Sequence, residues 1–307
     1  MKIIIIGLGK MGKSHLRSFI NSKKNYEIDI VDIVNMKKDK SIPTKNINFF
    51  KKIPINKKYD LAIIATSSVG KFNLVSYLLE NNKVNFLLLE KITFSKIDEY
   101  QKAFKIFHKL KTKVMVNTWG QHLALKFSKI INKNKKIKYD FINSERNLIA
   151  NIPHFFEFIK FFSKKNFTFN LTKIEKIIDS KWKNYDEILG LIVVKNSDFI
   201  ANFSTTKDLI KNNIDILIKF KIKKSYFKFI MYDDSKCVLY ENDKIIKIFF
   251  FPFFAFKTTE NFFYQDYIND KKKRRLLYFN NYKSFSKTIV QLMTTLNKKF
   301  KKRILIT

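Results

Sequence analysis

Residues 3–6 form an unbroken isoleucine run, and glycines at 7, 9 and 12 follow it directly, ahead of a stretch with helical periodicity that ends near Phe19. A strand, a GxGxxG turn and a helix in that order admit few folds, because each glycine answers a separate steric demand. Gly7 permits the tight turn, Gly9 lets the backbone approach a pyrophosphate, and Gly12 allows the helix to pack closely on the strand. Lys10 and Met11 complete the loop, whose helix-start amides and dipole favour an anion. The chain has only six glycines in 307 residues, and three of them sit in this turn. Asp32 follows Gly12 by 20 residues, at the end of a second strand-like run over 27–31. A carboxylate there holds ribose hydroxyls and repels a 2′-phosphate, so NAD is the expected cofactor. Lys37 and Lys38 offset that repulsion and keep NADP possible. The competing reading is a turn of the same shape that binds no dinucleotide.

The first third of the chain continues in the same rhythm. Strand patterns over 61–65, 86–89 and 114–117 alternate with helical patterns over 71–81 and 98–110, while 35–58 is the least regular stretch. Short apolar strands alternating with amphipathic helices predict an α/β fold with a doubly wound parallel sheet. The expected dinucleotide-binding domain is 1–119. After Trp119, helices are expected over 121–132 and 153–162, then strands over 190–195, 199–204, 214–222, 226–232, 238–241 and 245–251, several at hairpin spacing. A helix over 284–298 and a short strand near Ile304 close the chain. This pattern predicts a C-terminal α+β domain, 120–307, with a mostly antiparallel sheet that serves substrate binding and oligomerisation. The last helix is expected to pack back on the first domain.

The formal charge of +35 suggests a nucleic-acid or anionic-surface binder, but only five of the 61 basic residues are Arg. Base recognition favours the planar guanidinium. Lys, Ile and Phe, all encoded by A/T-only codons, are abundant together. The charge therefore reads as coding bias on solvated faces, with no specific nucleic-acid partner. The basic run 271–275, with Tyr264, Tyr267 and Tyr278 nearby, reads as a solvated loop or a phosphate contact. One cysteine, Cys237, excludes an intramolecular disulfide framework, and the four His residues show no metal-ligand spacing, so no metal is expected. No apolar run approaches a membrane span, and the N-terminus lacks a cleavage site, so a cytoplasmic protein is expected. The aromatic run 249–256 is read either as buried or as cover for the sheet face.

Four segments resemble the Gfo/Idh/MocA family (glucose–fructose oxidoreductase, inositol dehydrogenase) in order: GLGKMGKSHLRS from Gly7, DLAIIATSS from Asp60, FLLLEK from Phe86 and LIANIPHFFEF from Leu148. The resemblance implies nicotinamide-dependent oxidation or reduction at a carbon of a sugar, cyclitol or nucleotide sugar, in a cleft between two domains. It also implies a homo-oligomer through the C-terminal sheet. It places Thr66 and Ser67 beside the cofactor, Glu90 beside the nicotinamide ribose and Lys91 as the catalytic lysine.

The residues themselves support part of this. Hydride transfer from an alcohol needs a group to take the hydroxyl proton. Lys91 ends a strand at the carboxyl edge of the sheet, where ligands bind in open α/β folds. His154, after Pro153, is expected in the first turn of its helix, where the dipole keeps the imidazole neutral and available as a base. Glu157 lies one turn on and is placed to orient it, and His122 is placed to reach the cleft. His15 is expected to line the cofactor side of the first helix, and His108 to be at the surface. Three positions depart from the family pattern. Ala150 stands where an Asp is expected, Ile92 where a Pro is expected, and Lys71 where a His is common. A cis bond before a non-proline costs about 3 kcal/mol, so a trans bond at Ile92 that re-aims Lys91 is expected. Asn147 or Asn151 is available as a hydrogen-bonding substitute for the lost carboxylate, though not as a base. These departures motivate a second reading, a dinucleotide-binding sensor or scaffold without catalysis.

Overall fold

The computed structural model describes residues 1–33, 46–131, 137–144, 148–163, 165, 167–179, 186–233, 235–251, 259 and 277–301. Lys37, Lys38, Asn147, the basic run 271–275, Tyr264, Tyr267 and Ile304 lie outside them, as does the side chain of Tyr278. The chain divides into two compact units, one of residues 1–118 and 253–286, the other of 119–252 and 287–307.

In the first unit, β1 (Lys2–Ile6), β2 (Glu27–Val31), β3 (Ile47–Phe50), β4 (Lys58–Ile64), β5 (Lys83–Glu90) and β6 (Lys113–Asn117) form a six-stranded parallel array. Helices α1 (Lys10–Ile20), α2 (Lys71–Asn81) and α3 (Ile97–Lys109) alternate with these strands along the chain. The spatial order is β6-β5-β4-β1-β2-β3, and β15 (Leu277–Tyr278) adds an antiparallel strand beside β6. Residues Ile3 to Ile6 of β1 are all buried, as a strand covered on both faces requires. Ile5 pairs with Ile30 on one side and with Ile63 on the other. Ile3, Ile5, Leu16, Phe19, Ile28, Leu61, Leu88 and Met115 share one core. The strand order reverses at β1, between β2 and β4, and the carboxyl ends there open the crevice in which such sheets bind ligands.

The second unit carries an eight-stranded sheet in the order β14-β13-β12-β11-β7-β10-β9-β8. Its strands are β7 (Ile137–Ser144), β8 (Thr168–Asp179), β9 (Asp186–Lys195), β10 (Phe199–Thr206), β11 (Ile214–Ile222), β12 (Ser225–Tyr232), β13 (Lys236–Glu241) and β14 (Lys244–Phe250). Every neighbouring pair is antiparallel except β7 with β10. Helices α4 (Gly120–Phe127) and α5 (Leu148–Phe162) cover one face through Phe127, Phe155 and Phe158, which pack on Tyr139, Phe141, Phe203 and Phe220. A short α6 (Asp208–Lys211) precedes β11. The division between the units falls inside the last helix, α7 (Phe279–Phe300), whose first residue packs on Phe94, Tyr100 and Phe107 of the first unit. Among the described residues, no helix is long and apolar enough to cross a membrane.

Three expectations are corrected here. β7 and β8 are strands that the hydropathy pattern did not reveal. α4 ends at Phe127, not at 132. α5 begins at Leu148, five residues before the expected start, so His154 lies in its second turn and the first-turn dipole argument does not apply to it. The early start has a distant cause: the buried carboxylate of Glu187, on β9, accepts from the Ile149 and Ala150 amides at 2.7 and 3.5 Å. It thereby satisfies donors that an uncapped helix would leave open.

Candidate dinucleotide site and substrate-side residues

The glycine turn is built as its spacing requires. A Cβ at Gly12 would lie 1.9 Å from the Gly7 carbonyl oxygen, and one at Gly7, where φ is +88°, would lie 2.9 Å from the Ala65 carbonyl oxygen. A Cβ at Gly9 would meet nothing within 4 Å. The turn is thus closed toward the protein at Gly7 and Gly12 and open at Gly9, the side from which a pyrophosphate approaches. Gly9 also caps α1, whose first residues are Lys10, Met11 and Gly12. Asp32 Oδ2 accepts from the Leu8 amide at 2.5 Å, which anchors this carboxylate beside the turn. The Gly7 amide donates to Val31 and the Ala65 amide to Ile6, so the ends of β1, β2 and β4 are joined. Thr66 and Ser67 are partly buried in the loop after β4, and the Thr66 hydroxyl has no partner among the described residues. These residues fit a dinucleotide: the amides of the Gly7–Gly12 turn toward its phosphates and Asp32 toward a ribose.

The end of β5 is held from several sides. Glu90 is 6% exposed and its Oε1 accepts from His15 Nε2 and from Asn117 Nδ2, each at 2.6 Å. His15 Nδ1 lies 2.8 Å from the Thr259 hydroxyl. His15 is fully buried and serves Glu90, which is a more specific role than lining the first helix. Burial alone would raise the Glu90 carboxyl. The His15 hydrogen bond and charge, the Asn117 bond and the Lys91 charge outweigh it and hold the group below its ordinary value.

Lys71, the first residue of α2, is 1% exposed, and its ammonium donates to the carbonyl oxygens of Glu90 and Ile92 at 2.8 and 3.0 Å. The expected trans bond is corrected: the Lys91–Ile92 peptide is cis. The two carbonyls that flank it both accept from the Lys71 ammonium at the start of α2. Burial pushes the Lys71 ammonium down to about 7, with Glu90 opposing the shift and Lys91 adding to it. Lys91 itself is partly buried between these two anchored carbonyls. Among 56 lysines Lys71 carried no signal of its own; its place five residues after Thr66 was the only pointer.

In the second unit, His154 is 4% exposed and Glu157 3%. Trp119 stacks on His154 with ring centroids 4.3 Å apart, and its backbone N–H donates to His154 Nδ1 at 3.3 Å. His122 is 8% exposed and lies against Phe251, with centroids 4.7 Å apart. Asn151 donates to Asn143 Oδ1 at 3.0 Å. The position of the expected Asp is occupied by the buried Ala150, whose amide is bound by Glu187. His108 is exposed on α3, as expected.

The first unit therefore has the architecture of a nucleotide-binding α/β domain: the strand order, the glycine turn and an acidic residue just after β2. Residues 1–118 match the family profile GFO_IDH_MocA, described as "Oxidoreductase family, NAD-binding Rossmann fold". No curated protein matches the chain in sequence. Several solved structures share its fold. The super-repressor mutant of Gal80p from Saccharomyces cerevisiae superposes with a TM-score of 0.69 at 12% identity, over 98% of this chain and 96% of that one. UDP-N-acetylglucosamine 3-dehydrogenase GnnA from Acidithiobacillus ferrooxidans gives 0.68 at 9% identity, over 95% and 96%. Biliverdin reductase from Synechocystis, solved with biliverdin and NADP+, gives 0.67 at 11%, over 96% and 98%.

Proposed function

We propose that the chain is an NAD(P)-dependent oxidoreductase that moves a hydride between nicotinamide and a carbon of a sugar, cyclitol or nucleotide sugar. The observation that carries this reading is the pairing of an open Gly9 face with Lys91, set between two anchored carbonyls at the carboxyl edge of the same sheet. The nicotinamide, when bound, accepts or donates the hydride. The chain's own part is to remove or return the hydroxyl proton, which the reading assigns to the Lys91 amine, and to hold the substrate oxygen. His154 is the corresponding group of the second unit, with His122, Asn151 and Glu157 as further substrate-side candidates. NAD is favoured over NADP because Asp32 stands at the end of β2. The reading includes a cytoplasmic homo-oligomer with a small-molecule substrate and no specific nucleic-acid partner. The name of GnnA supports a nucleotide sugar among the substrate classes.

Fluorescence titration with NADH and NADPH, followed by turnover assays on a nucleotide-sugar and cyclitol panel, tests this. Lys91→Met is expected to abolish turnover while changing NADH affinity less than threefold; equal activity in the variant would overturn the assignment. A second reading, a dinucleotide-binding regulator without catalysis, is favoured by Ala150 and supported by the fold shared with Gal80p. It predicts NADH binding with no turnover on any substrate of the panel.

A further inference from the structure

Lys71 stands where an ammonium is doubly disfavoured. It opens α2 with no acid in the first turn, at the positive end of the helix dipole, and it is 1% exposed. What the position gains is two acceptors, the carbonyl oxygens of Glu90 and Ile92, at 2.8 and 3.0 Å. These belong to the residues immediately before and after Lys91. One nitrogen therefore closes a ring through the Lys91 backbone. It can do so charged or neutral, because an amine that has lost one proton still has an N–H for each carbonyl.

The backbone around this ring is fixed from other sides too. The Glu90 carboxylate is bound by His15 and Asn117, and Ile92, Thr93 and Phe94 are all buried. From Leu87 to Phe94, Lys91 is the one residue that is not buried. The chain thus presents a single residue from a buried run, with the carbonyls on both sides of it held by Lys71.

We propose that Lys71 is a positioning residue for Lys91: its bonds to the Glu90 and Ile92 carbonyls set where the Lys91 amine stands in the reaction, while Lys71 itself touches neither substrate nor dinucleotide. The role rests on the oxidoreductase reading above, in which Lys91 takes or returns the hydroxyl proton. Rates depend steeply on such placement, and an error of about 1 Å costs about 100-fold. A free loop would spread the amine over several orientations; a bridged one holds it in one. The phosphates are assigned to the Gly7–Gly12 turn, so dinucleotide affinity does not depend on this bridge.

The test compares the full-length parent, Lys71→Met and Lys71→Gln in NADH titrations and in turnover of the nucleotide-sugar and cyclitol panel. Met keeps an unbranched chain and removes every donor, whereas Gln keeps N–H groups on a shorter arm. We expect kcat to fall about 100-fold in Lys71→Met and about tenfold in Lys71→Gln, with the Kd for NADH within about threefold of the parent in both. The split between kcat and NADH affinity separates positioning from damage to the fold, and the partial recovery with Gln separates lost hydrogen bonds from lost packing. A kcat within about threefold of the parent in Lys71→Met overturns the proposal, as does an equal loss in the two variants or a loss of NADH affinity in step with kcat. Should Lys71→Met fail to fold, Lys71→Gln decides against the parent by the same split. A parent that binds NADH and turns over nothing overturns the oxidoreductase reading and this role with it; an active parent with an unaffected Lys71→Met overturns the role alone.

Discussion

His15 and Glu90 meet inside the first unit through a 2.6 Å hydrogen bond that ties α1 to the last residue of β5. Asn117 of β6 donates to the same carboxylate oxygen, so a single buried acid gathers three elements at the carboxyl edge of the sheet. Because the Glu90 carboxyl is held below its ordinary value, it stabilises the fold above the unfolded-state pKa of about 4.3. That contribution is lost as pH falls through the lower folded value. The urea midpoints of the parent and Glu90→Gln are therefore expected to differ most near neutrality and to converge below about pH 4. A difference that ignores pH would show that the charge is not what holds the cluster.

Lys71 has the opposite linkage. Its folded value, about 7, lies below the unfolded-state value of about 10.4, so between them the unfolded chain binds more protons. Stability then rises with pH across that window, by at most about 1.4 kcal/mol per pH unit from this group. Lys71→Met lacks this slope. Urea unfolding at pH 7, 8 and 9 should show the parent gaining stability relative to the variant; parallel curves would contradict a buried, displaced ammonium.

Gly9 and Gly12 separate binding from folding. Gly9→Ala adds a methyl to open space, so stability should stay within about 0.5 kcal/mol of the parent. If the proposed phosphate site is right, NADH affinity should nonetheless fall by about tenfold or more, because the methyl would stand on the open face assigned to the pyrophosphate. Gly12→Ala drives a Cβ into the Gly7 carbonyl and should lower both stability and affinity. Calorimetric titration with thermal melts distinguishes them, and undiminished NADH binding by Gly9→Ala would remove the phosphate assignment.

Glu187→Ala should destabilise the second unit by about 1–2 kcal/mol, the range of a lost helix cap. Hydrogen exchange at the Ile149 and Ala150 amides should accelerate in the variant more than at the Phe158 amide, deeper in α5. Uniform acceleration along the helix would mean that Glu187 acts on the whole unit and not on its first turn.

What could be read in the sequence was whatever a short window contains. β1, the glycine turn, α1 and β2 are written in a run of isoleucines, three spaced glycines and an acid at a fixed distance, and the face of α3 is written in Tyr100, Ala103 and Phe107. The start of α5 was not legible, because its cap is a side chain 37 residues beyond Ala150 on another strand. The hold on the carbonyls either side of Lys91 was not legible either, because it comes from Lys71, 21 residues before Ile92. β7 mixes Lys138, Asp140 and Asn143 with its apolar face, and β8 mixes Asn170, Lys173 and Lys176 with its own. These polar residues, the buried Asn143 among them, blur the pattern in both strands. The candidate residues were found by motif, but their partners, Asn117, Trp119, Lys71 and Glu187, are ordinary residue types whose roles exist only in three dimensions.

The knot around the end of β5 has a consequence for energetics. α1, α2, β5 and β6 all converge on Glu90 and its neighbours through buried bonds, so none of them can part from the others without exposing a charge to an apolar interior. The amides around Glu90 should then exchange with solvent only when the whole unit unfolds. The residues around Glu90 are thus ordered by the fold's own bonds, and little of the binding free energy of a dinucleotide at the proposed site would go to ordering them.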